Sequence, residues 1–507
     1  MRARKAFRNT MWGLVYECVT LICGFIVPRL VLTSFGSQYN GITSAISQFL
    51  GVISLFQAGV SGVTVAALYK PLAEGDISQI SIIIRTTERF LRRIALIFIV
   101  FAIIIAGFYP FLVSDEFEWA FAASLILVMS ISTFSQYFFW QAYQLLLRAD
   151  QQHRLIHIVN SIKTVVNTLL TVVLIRAGFG IHIVKLGAST VYVIGALFVY
   201  FYVKRKYNLV HNALTDNSVI KQRWDNFWQY VANFVTHNTD LVVLSFFSTV
   251  YSISVYTIYN IVVSSAINLF TSFSNGLNAA FGNMLANDEH VLILKRFRIY
   301  EQVVFALATF IFGVAFVMMV PFVKVYTKQV TDVNYVNYAF SYTMVCAALF
   351  RCLRVPYQGL VSAAGHFRQT RNPAFVEAAI NISVSIALVI PFGIVGVAIG
   401  TLFAYVFRTV RYAVYMSRNI VSRSIWMFVK RLLLSAVCIL MVFCAYSAIP
   451  FGEAVDYLTW AVQAIVISLI TLTLIAIVEL LFYRNDVVEL VKMVKAAVKK
   501  KTVARST

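Results

Sequence analysis

The stretch FGIHIVKLG, Phe179 to Gly187, returns 213 residues later as FGIVGVAIG, Phe392 to Gly400, with Phe-Gly-Ile and the last glycine in register. Other echoes keep nearly the same spacing. Leu32-Thr33-Ser34-Phe35 parallels Leu244-Ser245-Phe246-Phe247, Ala73-Glu74-Gly75-Asp76 parallels Ala286-Asn287-Asp288, and Tyr109-Pro110-Phe111 parallels Val320-Pro321-Phe322. Tyr143-Gln144 likewise parallels Tyr357-Gln358, and every offset lies between 211 and 214. Any one match is weak, but a near-constant offset with small drift is the mark of a duplicated unit with a few loop insertions.

What is duplicated follows from composition. Of 507 residues, 60% are hydrophobic and 12% charged, a balance that leaves a water-facing surface too poor in charge for a soluble domain. Apolar runs long enough to cross about 30 Å of hydrocarbon recur along the chain. Fourteen helices are expected, near 9–33, 42–68, 90–113, 117–146, 155–176, 180–202, 222–248, 252–282, 299–323, 335–363, 374–391, 394–416, 428–449 and 458–482. The runs are apolar on all sides, whereas barrel strands would alternate with polar positions. The expected class is therefore an all-α integral membrane protein. Six spans separate equivalent positions, so both copies enter the membrane from the same side, as parallel repeats about an axis along the membrane normal. This gives a first lobe at 1–202, a cytoplasmic linker at 203–221, a second lobe at 222–416, extra helices 13 and 14 within 428–482, and a basic tail at 484–507. Two lobes about a cleft suit alternating access.

The formal net charge of +21 would point a soluble protein toward nucleic acid, but its distribution points to topology. With Arg2, Arg4, Lys5 and Arg8 placed in the cytoplasm, the same side receives Arg89, Arg92 and Arg93, Arg148 and Arg154, Lys204 to Lys206, Lys295 to Arg298, Arg368 and Arg371, and the Arg408 to Arg431 cluster. About 34 of the 42 basic residues fall inside by this count, as the positive-inside rule requires. Both termini are expected in the cytoplasm, and no nucleic-acid partner is needed. The basic start and long apolar run read as a retained first span, not a cleaved leader. In the tail, Val488, Val491, Val494 and Val498 share a face among lysines, the pattern of a helix lying on anionic lipid or of a solvated basic tail.

Ionisable residues at bilayer depth are costly and face an interior or a wet cavity. Glu17 and Arg29 lie in the first span, and His237 with Asp240 in the seventh; Glu17, His237 and Asp240 are candidates for ion coupling or counter-charge. Lys163 and Asn167 fall on Glu377 and Asn381 at the offset of 214, placing opposite charges at one repeat position. That pattern fits either a polar pair between the lobes or pairing of each charge within its own lobe. Arg351 and Arg354 share a helix face just before Pro356, and Tyr137 and Trp140 hold the equivalent places in the first copy. No carboxylate lies within a helical turn of either arginine, so they suit a bound anion, phosphate above all, which takes a guanidinium fork in bidentate fashion. The competing reading pairs them with Glu17 or Asp240. Arg29 is a third phosphate candidate, or a side chain reaching the outer interface.

Catalytic signatures are lacking: the sequence has no GxxxxGK[ST], HExxH or GxSxG. Cys18, Cys23, Cys346, Cys352, Cys438 and Cys444 all fall in expected spans without metal-ligand spacing, and the seven histidines are scattered. No enzyme activity, cofactor or metal is expected.

The Asn9 start of the first span, the Pro28-Arg29 to Phe35-Gly36 exit, Asn40-Gly41, a Gly59 to Gly62 turn and Leu68-Tyr69-Lys70-Pro71-Leu72 complete an ensemble that resembles the polysaccharide transporters (O-antigen type flippases) of the multidrug/oligosaccharidyl-lipid/polysaccharide superfamily. That resemblance implies outward movement of an undecaprenyl-diphosphate-linked oligosaccharide across a bacterial cytoplasmic membrane, through a cationic cavity, coupled to a proton or sodium gradient. Membrane lipids and a polysaccharide polymerase are the partners it implies. Lipid II flippases also look like this, and carry more arginines near the first-lobe cleft than Arg29. A drug/cation antiporter of the same superfamily would prefer an acidic, aromatic cavity and commonly stops at twelve helices, and a polymerase would need a sizeable outer loop.

Overall fold

The computed structural model describes residues 2–210, 214–216, 231, 234, 238–286, 290–364, 366, 369–490 and 492. Every regular element among them is helical. Eleven of these helices are long and apolar enough to cross a membrane, from Met11–Phe35 to Tyr457–Phe482. The protein is a multi-pass membrane protein.

The chain forms two compact units, 1–257 with 329–333, and 258–328 with 334–507. In the first unit, most of the residues singled out in the sequence are joints. Asn9 donates through Nδ2 to the Gln151 carbonyl at 2.9 Å and accepts from the Arg154 backbone N–H at 3.0 Å, so it ties the first helix, Arg2–Phe35, to the start of His153–Arg176 and satisfies one of its free donors. Gly36 turns the chain with φ +94°, a left-handed conformation that favours glycine. Asp332 then accepts from the Ser37 backbone N–H at 2.8 Å and from Ser37 Oγ at 2.7 Å, putting a carboxylate at the N-terminus of Ser37–Leu50. Asn40 donates to Ser254 Oγ at 2.8 Å and Gln38 to the Tyr251 hydroxyl; each bond joins positions separated by the duplication offset. A methyl at Gly41 would lie 1.9 Å from the Val250 carbonyl oxygen, so only glycine lets these segments meet.

Three expectations are corrected. The segment expected at 42–68 is interrupted at Gly51–Ile53, where a tighter turn links Ser37–Leu50 to Ser54–Glu74, and the chain is helical through 59–62. The segment expected at 335–363 divides into Tyr338–Leu353 and Val355–Ala363. The helix expected to begin at 90 begins at Ile77, where Asp76 accepts from the Gln79 N–H at 3.0 Å. Part of the expected linker lies along this extension: Val210 and Asp216 donate backbone N–H groups to Ser81 and Thr86, and Arg89 donates to Thr215.

The opening stretches are the turns of two helical hairpins. In the second unit, Gly393 (φ +55°) joins Arg371–Phe392 to Ile394–Asn419. A methyl at Gly396 would lie 2.0 Å from the Leu388 carbonyl oxygen. The final pair, Trp426–Ala448 and Tyr457–Phe482, packs on His290–Tyr326 through Val317, Met318, Val442 and Ile467. Trp460 Nε1 donates to the Met318 carbonyl at 3.1 Å. The expected tail beyond 490 lies, apart from Lys492, outside the described residues.

Candidate functional site

Pro356 cannot donate a backbone hydrogen bond to the preceding turn, and the helix accordingly ends at Leu353 and restarts at Val355. Arg354 sits at this break. Its side chain is buried, and Nη1 donates to Glu377 Oε1 at 2.7 Å. Arg408 approaches from the other hairpin helix, with Nε 3.5 Å from Glu377 Oε2 and Nη2 donating to the Tyr412 hydroxyl at 3.0 Å. Aromatic faces complete the shell: the Arg354 guanidinium lies 5.6 Å from the Tyr405 ring and that of Arg408 4.5 Å from the Tyr412 ring. Glu377 is only 3% exposed. One carboxylate thus serves two guanidiniums and the cluster keeps one positive charge. Arg351, one helical turn before Arg354 and half-buried, makes no ion pair or hydrogen bond with a described residue.

A second cluster in the same unit, with Glu301, Arg431 and Asp486 buried and Arg298 exposed, balances. Glu301 is fully buried, accepts from the Tyr357 hydroxyl, and pairs with Arg423 at 2.5 Å and Arg431 at 3.3 Å. Asp486 pairs with Arg298 at 2.8 Å and reaches Arg431 at 3.9 Å, while Glu479 accepts from Gln302 beside Arg431. Three acids face three arginines. The carboxylate beside Arg423, which lies in a connecting turn, holds its guanidinium in the charged form against the cost of burial. Of these two clusters, the one with an unbalanced positive charge is that of Arg354, Glu377 and Arg408.

The first unit builds the corresponding place differently. Lys163 is buried with its ammonium 4.0 Å from the Trp140 ring and 5.5 Å from the Tyr192 ring, and its stem covers Gly195, where a methyl would lie 2.3 Å from Lys163 Cδ. Beside it runs a groove of about 280 Å³ lined by Ile162, Val166, Ile194 and Phe198. Glu377 meets its arginines within its own unit, and Lys163 rests on aromatic faces within its own. Asn381 donates to Thr401 at 2.9 Å, while the buried Asn167 Oδ1 has no partner among the described residues.

The other expected residues are dispersed. Glu17 is exposed on the first helix, and Arg29 is half-buried and not free. Asp240 is buried and accepts from the Tyr256 hydroxyl at 2.8 Å. His237 lies outside the described residues. Arg354 has a carboxylate partner in Glu377, within its own unit. Sequence reasoning missed Arg408, Arg423 and Arg431, which were grouped with the basic loops, and Glu301. Position 408 was open to detection, since it lies inside the expected span 394–416.

No protein-family model matches the chain, and no curated protein matches it by sequence. Solved structures do match. A structure titled lipid II flippase MurJ, inward closed conformation, aligns over 94% of this chain and 99% of its own with a TM-score of 0.72 at 15% identity. The fold is shared with MurJ. An inward-facing multidrug resistance transporter of the MATE family, titled as a member of the MOP superfamily, covers 79% of this chain and 95% of its own at TM-score 0.59 and 12% identity. The Vibrio cholerae MATE transporter VcmN covers 84% and 99% at TM-score 0.58 and 14% identity. The MurJ-like architecture thus extends over nearly the whole chain.

Proposed function

We propose that this protein is a flippase that carries an undecaprenyl-diphosphate-linked oligosaccharide across the bacterial cytoplasmic membrane by ion-coupled alternating access, supplying surface polysaccharide synthesis. The observation that carries the reading is the two-to-one ratio of arginine to carboxylate at Arg354, Glu377 and Arg408, with Arg351, unpaired among the described residues, one helical turn from Arg354. A diphosphate diester carries two negative charges and offers paired oxygens to guanidinium forks. Arg351 is its first ligand and Arg354 its second. The shared MurJ and MATE architecture supports transport as the class of activity, and the basic residues near the N-terminus support cytoplasmic termini. A cationic drug is a poor match for this cluster.

A second reading, lipid II as the cargo, is favoured by the fold shared with the lipid II flippase MurJ. Both cargoes share the polyprenyl diphosphate and differ in the headgroup. The test is reconstitution in liposomes with a fluorescent undecaprenyl-diphosphate oligosaccharide and, separately, fluorescent lipid II. Arg351→Ala leaves the Arg354–Glu377–Arg408 cluster intact and removes one charge-assisted contact worth about 1.5 to 3 kcal/mol, so movement of the preferred lipid should fall about ten- to a hundredfold. Unchanged movement in this variant removes Arg351 as a ligand. Movement of lipid II alone decides for the second reading, and export of organic cations with no lipid movement overturns both.

A further inference from the structure

The helix that ends at Ser135 does not run straight into Gln141–Ala149. Between them, at 136–140, lies a wide turn in which the Gln141 N–H bonds back to the Gln136 carbonyl, five residues away. Such turns are uncommon and gather at functional sites. At the offset of 214 this stretch falls on 350–354, where the second unit breaks its own helix before Pro356, and Tyr137 falls on Arg351. Both units present this position at an irregular turn, one with a phenol and the other with a guanidinium.

In the first unit, Tyr137 Oη donates to Gln57 Oε1 at 3.1 Å, and Gln57 Nε2 donates to Gln141 Oε1 at 2.8 Å. Gln57 lies in the first turn of Ser54–Glu74, directly after the tight turn at Gly51–Ile53, so both segments that meet here are irregular. Since one side chain bonds both, Tyr137 and Gln141 face the same way, and Gln144 follows Gln141 by three residues on that face. The chain of bonds stops there: among the described residues, Gln141 Nε2 has no partner, and Gln144 has none at either amide atom. Gln141 is 8% exposed and Gln144 7%, yet their unpartnered amide atoms are not among the sealed ones, so the accessible part of each includes its polar tip. Amides held in a packed place without partners cost free energy until something outside the chain completes them.

Their chemistry defines what completes them. No charged side chain among the described residues bonds to Tyr137, Gln57, Gln141 or Gln144, so this face offers little to a phosphate or a cation. An amide head donates through nitrogen and accepts through oxygen, and a phenol oxygen does both. Sugar hydroxyls have the same double capacity and carry no charge. We infer that Gln141 and Gln144, held in place by Gln57 and Tyr137, form a sugar subsite in the first unit, which hydrogen-bonds a hydroxyl-bearing ring of the cargo and contributes to the choice of glycan. This inference rests on the flippase reading above. A site built to hydrogen-bond a hydroxyl rejects a ligand that lacks it, because its own polar groups are then left unpaired.

The test separates the sugar from the diphosphate. The chain in nanodiscs is titrated with undecaprenyl diphosphates esterified with glucose, galactose or N-acetylglucosamine, and with the methyl ester, which keeps both phosphate charges and lacks the sugar. In the wild type at least one sugar-bearing lipid should bind about tenfold more tightly than the methyl ester. Gln144→Met keeps the length of the side chain and breaks no bond made among the described residues. It should remove most of that advantage while binding the methyl ester as the wild type does. Gln57→Met, which releases Gln141, should reduce the advantage by about threefold. Arg351→Ala should weaken every lipid by the same factor and leave the advantage intact. Equal binding of the sugar-bearing lipids and the methyl ester by the wild type overturns the subsite and leaves the flippase reading standing. An advantage undiminished in both Gln144→Met and Gln57→Met does the same. Failure of the wild type to bind any of these lipids removes the flippase reading, and the subsite with it.

Discussion

Four positions of the first unit and four of the second correspond at offsets of 213 to 214, yet they hold different chemistry. In the first unit Trp140, Tyr192 and Gly195 surround Lys163; in the second Arg354, Tyr405 and Arg408 surround Glu377. The sequence echo pairs these positions, and the two units place different chemistry at them. A lone cation on aromatic faces is a closed arrangement, whereas two arginines sharing one acid are ready to exchange partners. The groove beside Lys163 follows from the same substitution, since the repeat has glycine at 195 where it has arginine at 408. The comparison breaks most readily at its acidic member. Glu377→Ala strands two buried guanidiniums and should lower unfolding stability by about 3 to 5 kcal/mol. Adding Arg408→Gly, which recreates the local composition around 195, should recover part of that loss. Denaturant titration of the detergent-solubilised single and double variants measures the coupling, and simple additivity would show that Arg408 and Glu377 act independently.

A second duplicated pair sharpens the contrast. Tyr143 donates to Glu88 at 3.0 Å in the first unit, and Tyr357 donates to Glu301 in the second, at offsets of 214 and 213. Glu88 is completed locally by Arg92 at 2.5 Å, one helical turn along, and keeps 12% of its side chain exposed. Glu301 is completed by Arg423 and Arg431, which enter from the connection to the last helix pair and from Trp426–Ala448 itself. In the second unit the tyrosine–glutamate pair is thus tied to the final helix pair and the connection that leads to it. Loss of Glu301 removes the ion pair of Arg423 and leaves buried Arg431 with Asp486 at 3.9 Å, whereas loss of Glu88 leaves Arg92 at a partly wet site. Glu301→Gln should therefore cost about 2 kcal/mol more than Glu88→Gln. Urea midpoints of the two variants at equal slope provide the check, and equal losses would deny the final helices their ionic anchor.

The fold was legible because its causes are spread along the chain. Composition set the solvent and run length set the spans; the helices found at 153–176, 181–206, 394–419 and 457–482 lie within a few residues of expectation. The break at Gly51–Ile53 was not legible, since an apolar run reads alike through a tight turn and through a helix. At the site, the offset exposed positions 163 and 377 and, opposite them, 140 and 354. Position 408 was missed because a charge in a predicted span close to a basic loop counts toward topology until a partner is known, and its partner lies 31 residues away on the other arm of the hairpin. Glu301 escaped for a related reason: its arginines come from segments about 120 to 130 residues downstream, and a buried network of opposite charges leaves little trace in a hydropathy window.

The smallest effect is expected at Lys163, and its sign is informative. Burying an ammonium near mid-bilayer costs about 2.5 to 3.5 kcal/mol on insertion scales. Its contacts with Trp140 and Tyr192 return about 0.5 to 2 kcal/mol, and no described carboxylate completes it. Lys163→Met preserves the stem that covers Gly195, removes the charge and leaves no orphaned acid, so the thermal midpoint of the solubilised protein should rise, by an amount corresponding to about 1 kcal/mol. The same kind of change at Glu377 is expected to do the reverse, because there it leaves two cations without their acid. A fall of the midpoint in Lys163→Met would mean that an anionic group meets Lys163 after all. The first unit would then hold a charge-paired site like that of the second, and the division between a closed and an exchangeable arrangement would fail.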